Sequence, residues 1–163
     1  MKRILLHASL MAALGLSGTV CRADTDAENT AHQSVLDLAG AFTNEGFKLR
    51  DGTYMGTLKA GEAAVVQVNL YAGNQYWFSV ATAEGKAAVA INLYDETGKL
   101  VKTDAFTTTT AGKDTGADPA DDPYANKNRA AIGFAPEASG AYYVRIAETA
   151  GAAATYCLIY SYK

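Results

Sequence analysis

Ser139-Gly140-Ala141-Tyr142-Tyr143-Val144-Arg145-Ile146 is the stretch that decides the fold. A Ser-Gly turn opens directly into alternating residues, so Tyr142, Val144 and Ile146 share one face while Tyr143 and Arg145 take the other. The same period of two recurs outward from it in both directions. Expected strands cover 54–59, 63–70, 75–82, 89–93, 100–103, 130–135, 140–148 and 154–162. Between them lie turn signals such as Lys59-Ala60-Gly61-Glu62, Ala72-Gly73-Asn74 and Asp95-Glu96-Thr97-Gly98-Lys99. In 63–70 the alternation sets Val66, Val68 and Leu70 against Val65, Gln67 and Asn69. In 75–82 it sets Tyr76, Phe78 and Val80 against Trp77, Ser79 and Ala81. Many short strands with frequent turns predict an all-β chain, a jelly-roll-like antiparallel β-sandwich whose inner faces supply the core.

The N-terminal part follows a different rhythm. Lys2 and Arg3 precede a mostly apolar run from Ile4 to Val20, and Cys21-Arg22-Ala23 places small residues where a signal peptidase reads them. This predicts a signal peptide over 1–23 and an exported protein, periplasmic or extracellular. A lipoprotein anchored through Cys21 is the alternative, although Val20 is bulky for that motif. Residues 24–53 form an expected helical segment ahead of a β-sandwich domain at 54–163. Ala31, Val35, Leu38 and Phe42 recur at the period of one helix face, predicting a helix over 27–42, capped by Asp24 or Asp26 and followed by Gly46. So short a helix needs a surface on which to dock its stripe.

Cleavage after Ala23 would leave 140 of the 163 residues and take the formal net charge from −3 to −6. That size suits one domain able to build a core without disulfides or metal. The negative balance argues against nucleic acid and against anionic membrane surfaces, and no apolar run is expected to span a membrane. Only Cys157 then remains, within the apolar run 156–162, where an inert buried thiol is expected.

With the turns and strands in this order, the chain resembles the bacterial pre-peptidase C-terminal domain family. The matching residues are Gly56-Thr57-Leu58-Lys59-Ala60-Gly61-Glu62, Leu70-Tyr71-Ala72-Gly73-Asn74-Gln75-Tyr76-Trp77-Phe78, Leu93-Tyr94-Asp95-Glu96-Thr97-Gly98-Lys99-Leu100-Val101, Phe134-Ala135-Pro136 and the 139–146 run. The resemblance implies a secreted jelly-roll module of the kind often attached to extracellular proteases. Two departures stand out: only the helical segment is expected between signal and module, and Thr103-Asp104-Ala105 stands where many relatives carry paired acids. A free-standing module of this kind implies binding as its task.

The residues carry little catalytic equipment. His32 would be the single histidine left for a Ser-His-Asp or Cys-His arrangement, and no phosphate-cradling or dinucleotide motif occurs. Carboxylates are plentiful, so a hydrolase working through a carboxylate pair stays open, but no pair is singled out.

Two candidate sites emerge. Asp114, Asp118, Asp121 and Asp122, with Asn126, lie in the long segment 107–127 and offer hard oxygen ligands suited to Ca2+; a solvated acidic loop is the other reading. The second is aromatic. Ten tyrosines and a lone tryptophan exceed what a small core needs, and alternation points Trp77, Tyr143 and Arg145 away from it. Such residues suit an extracellular polysaccharide or protein; covering the sheet under the helix or the long loop is the competing role. The expected function is therefore a non-catalytic exported binding or accessory module. A structural or regulatory subunit of a cell-envelope complex is the alternative.

Overall fold

The computed structural model describes residues 25–106, 128–151 and 153–163. The signal peptide, Cys21 and the acidic candidates Asp114, Asp118, Asp121 and Asp122 lie outside these residues. Among the described residues one helix, α1 (Asp26–Thr43), is followed by nine strands: β1 (Lys48–Leu49), β2 (Tyr54–Leu58), β3 (Ala63–Leu70), β4 (Tyr76–Thr82), β5 (Ala88–Tyr94), β6 (Asp104–Ala105), β7 (Arg129–Phe134), β8 (Gly140–Ala150) and β9 (Ala154–Tyr162).

Every strand pair is antiparallel. The larger sheet runs β1-β9-β4-β7-β6, with β2 also paired to β9; the smaller runs β3-β8-β5. From β2 to β6 and again from β7 to β9 the chain passes from one sheet to the other at each step, as a jelly-roll-like sandwich requires. Between the layers lie Val68, Leu70, Tyr76, Phe78, Val80, Ile91, Leu93, Val144, Ile146 and Leu158, all buried in one cluster. The period-two reading thus set the inner faces of β3, β4, β5 and β8 correctly.

The helix begins with a reciprocal cap. Thr25 Oγ1 accepts from the Glu28 N–H at 3.2 Å, and Glu28 Oε2 accepts from the Thr25 N–H at 2.7 Å. Thr25, not Asp24 or Asp26, is therefore the cap. The Thr-x-x-Glu spacing was present in the sequence, and each side chain satisfies a backbone donor that the helix leaves open. Ala31, Val35, Leu38 and Phe42 are all buried, and α1 packs on the outer face of the larger sheet, against β4 and β9. The stripe docks on its own chain. Beneath it sit Ala81, Cys157 and Ile159 in one cluster and Phe47 with Ala131 in another; Cys157 is fully buried there.

One expected strand does not form. Residues 100–103 make only a bridge between Tyr94 and Leu100 and a bond from the Val101 N–H to the Leu93 carbonyl. The chain then leaves the smaller sheet, and Asp104–Ala105 pairs with Gly133 and Ile132 of β7 on the larger one. A crossover of that length leaves no room for a longer hairpin strand, and Leu100 is correspondingly exposed.

Tertiary bonds pin the turns. The buried Glu148 carboxylate accepts the Gly61 N–H through Oε2 at 2.7 Å, holding the β2–β3 turn, where Gly61 takes φ +75°. The Tyr76 hydroxyl accepts from the Tyr71 N–H at 2.9 Å and from Asn74 Nδ2 at 3.1 Å, closing the β3–β4 turn. Tyr142 donates from its hydroxyl to the Ala138 carbonyl at 3.0 Å, which fixes the entry to β8.

Candidate functional site

The sandwich has two outward faces, and they differ. On the larger sheet, alternation sends Trp77 outward as expected, but α1 covers that face. Phe42 stacks on the indole with centroids 4.4 Å apart and planes 10° from parallel, and Phe106 meets it edge-on at 5.9 Å. Trp77 is half-buried and serves to seat the helix, the covering role that competed with ligand contact in its sequence reading. Opposite it in register stands Gly133. A Cβ there would lie 3.0 Å from the indole Cζ2, so the missing side chain makes the space for the ring.

The outer face of the smaller sheet has no such roof among the described residues. Tyr143 and Arg145 project from β8, its central strand, and the register supplies their neighbours. Tyr143 lies between Gln67 of β3 and Tyr94 of β5; Arg145 lies between Val65 of β3 and Asn92 of β5. Cross-strand neighbours in such rows have Cβ atoms about 5 Å apart, so these six side chains form one continuous patch. Val65 is 61% exposed, and the two tyrosines, Arg145 and Asn92 are half-exposed. No acid occupies either row, and among the described residues no hydrogen bond or ion pair engages the Arg145 guanidinium. A cation free of a local partner, flanked by two phenols and three neutral side chains, is equipped to take an acceptor from outside.

Alternation placed Tyr143 and Arg145 correctly but left out Tyr94 and Asn92. The signal was half present: if Val89, Ile91 and Leu93 face inward, Asn92 and Tyr94 face outward. Their adjacency to β8 depends on sheet order, which strand period does not carry.

A cleft at one end of the sandwich is the third feature. It encloses about 570 Å³ between Asp95, Lys102, Asp104, Phe134, Glu137 and Tyr142. A smaller cleft of about 300 Å³ continues past Asp104 and Phe134 to the edge of Trp77 and to Lys163. The carboxylates look promising for chemistry, but Asp95 is committed to its own turn. Its Oδ1 accepts from the Thr97 hydroxyl at 2.6 Å, the Thr97 N–H at 2.9 Å and the Lys99 N–H at 3.0 Å. The Thr97 hydroxyl bond, followed by the Lys99 backbone bond, holds the Asp95 carboxyl below its ordinary range. Burial, first, and the nearby acids push the Tyr142 phenol above its ordinary value.

Among the described residues, no group of three or more His, Cys, Asp or Glu side chains could hold a metal ion. Nor is any described helix long and apolar enough to cross a membrane. His32 is half-buried on α1, on the side of the molecule that carries the helix rather than the tyrosine face.

These features define a two-layer antiparallel sandwich with one face sealed by a helix and the other without a cover among the described residues. No family model matches the chain, and no curated protein matches it. Among solved structures the chain is similar to PliG of Aeromonas hydrophila, a periplasmic inhibitor of g-type lysozyme. The identity is 14% and the TM-score 0.42, over 73% of this chain and 90% of that one.

Proposed function

We propose that this protein is an exported, non-catalytic binding module that docks a protein partner on the outer face of its smaller sheet. The observation that carries the reading is the contrast between the two outward faces. Where the aromatic residue of the larger sheet is used to seat α1, Tyr94, Tyr143 and Arg145 face outward with nothing described above them. Tyr and Arg are the residue types that dominate protein-binding hot spots, because they combine large rigid area with polar ends. The resemblance to pre-peptidase C-terminal domains belongs to the same proposal, as does export through residues 1–23.

A polysaccharide ligand is the second reading. It draws on Gln67 and Asn92, whose amides could bond sugar hydroxyls beside the two phenol rings.

The test is retention on immobilised protein spanning residues 24–163, from cell-envelope extracts and from purified candidates, with g-type lysozyme on that panel. Insoluble polysaccharides form a parallel arm. A defined polypeptide held by the wild type and lost on Arg145→Ala and Tyr143→Ala supports the protein reading. Retention on a glycan with the same loss moves the assignment to the polymer, and unchanged binding in both variants removes this face from consideration.

A further inference from the structure

The smaller sheet has a second unusual feature, at its edge. The Glu148 N–H donates to the Glu62 carbonyl at 3.0 Å, and the register continues Ala63↔Ala147 to Leu70↔Gly140. Backbone groups alternate sides along a strand, so Ala64, Val66, Val68 and Leu70 bond β8. The N–H and C=O groups of Ala63, Val65, Gln67 and Asn69 then point away from the sheet, where no described strand receives them. These four residues are all exposed.

Other edges of the sandwich are interrupted. β1 and β2 are two and five residues long and are separated by Arg50-Asp51-Gly52-Thr53, with Gly52 at φ +106°. β6 has two residues, and the C-terminal end of β5 is closed by the Val101–Leu93 bond. β3 runs for eight residues, Ala-Ala-Val-Val-Gln-Val-Asn-Leu, without a charge, a proline or a bulge in its pairing. Charges, prolines, bulges and short length are how proteins keep sheet edges from pairing, and β3 carries none of them.

We infer that β3 is a self-association edge: two copies of this chain pair β3 with β3 antiparallel about a two-fold axis at Val66. The occupant is a second copy because the edge is self-complementary. That axis sets Val65 opposite Gln67 of the second copy and Ala63 opposite its Asn69, each pair exchanging two backbone bonds. On the core side it sets Val66 against itself and Ala64 against Val68, continuing the apolar layer across the junction. No like charges meet within the strand, although the chain as a whole is acidic, and one isologous contact closes the assembly. The two smaller sheets become one continuous sheet, with both Tyr143–Arg145 faces on the same surface. The inference is independent of what those faces bind.

Sedimentation velocity across a broad concentration series of residues 24–163 tests it. The wild type is expected to pass from monomer to dimer. Val65→Lys puts a cation on each side of the axis, and Gln67→Pro removes an N–H that the β3–β8 ladder does not use. Both are expected to stay monomeric with an unchanged far-ultraviolet circular dichroism spectrum. Should Gln67→Pro fail to fold, Val65→Lys alone decides. A wild type that stays monomeric throughout overturns the inference, as does a dimer that persists in a folded variant.

Discussion

Phe42 of α1 lies flat on Trp77 of β4, with ring centroids 4.4 Å apart. This contact joins the helix to the sheet, and Phe42 is only 1% exposed. Phe42→Ala is expected to cost about 3 kcal/mol, because it removes a large buried ring and leaves a cavity under a helix too short to stand alone. The melting temperature should fall by on the order of 10 °C. Trp77 is the only tryptophan, so its emission reports this junction directly: removing Phe42 should shift it to longer wavelength as water reaches the indole. A double-mutant cycle with Trp77→Phe should leave about 1 kcal/mol of coupling.

Gly133 opposes Trp77, and its missing Cβ is what lets the indole lie where it does. Gly133→Ala puts a methyl group 3.0 Å from ring carbon, tighter than nearly all packed Cβ contacts. The ring must move toward α1, where Phe42 already fills the space. The expected cost is about 1–3 kcal/mol, the range of overpacked cores, with a change in tryptophan emission. Gly40→Ala is the control, since its Cβ would meet nothing within 4 Å and α1 gains helix propensity. A Gly133→Ala protein that melts like the wild type would show that the indole yields freely.

The same pair shows what the sequence makes legible. The direction of Trp77 followed from the step of two that also faced Tyr76 and Phe78 inward. What lies above Trp77 is settled by α1, some forty positions away in the chain, and strand period is silent on contacts of that range. The stripe Ala31, Val35, Leu38 and Phe42 was readable for a similar local reason, and its burial followed. Residues 100–103 misled because a hairpin signal at 95–99 promises a return strand. Here the turn is genuine, with Asp95 bonded across it, yet the chain crosses to the other sheet after Val101. Tyr143 and Arg145 could be placed outward, whereas Tyr94 and Asn92 joined them only once β5 was known to lie beside β8.

Tyr143 and Arg145 are expected to separate binding from stability. Both are half-exposed on the outer face of the smaller sheet, so each alanine variant should change stability by less than about 1 kcal/mol. Partner affinity measured by calorimetry should fall about tenfold or more for each, the behaviour of hot-spot residues. Equal affinity in wild type and both variants would place the contact elsewhere. A loss of affinity accompanied by a comparable loss of stability would mark the face as structural.

Asp95 gives a prediction in pH. Its carboxyl is held below the ordinary range by the Thr97 hydroxyl and the Lys99 and Thr97 amides, which bond the charged form in the folded turn and are absent from the unfolded chain. A group whose folded pKa is depressed contributes stability that is present in full above its unfolded pKa. That contribution is lost as pH falls through the folded value. Asp95→Ala should therefore melt below the wild type at neutral pH by a constant margin, and the margin should shrink as the pH drops beneath the ordinary carboxylate range. Other carboxylates titrate there too, but in both proteins, so the difference between the two melting curves isolates this turn. A margin that holds steady into acid would mean that the carboxylate charge adds nothing to the turn and that Asp95 acts only through its shape.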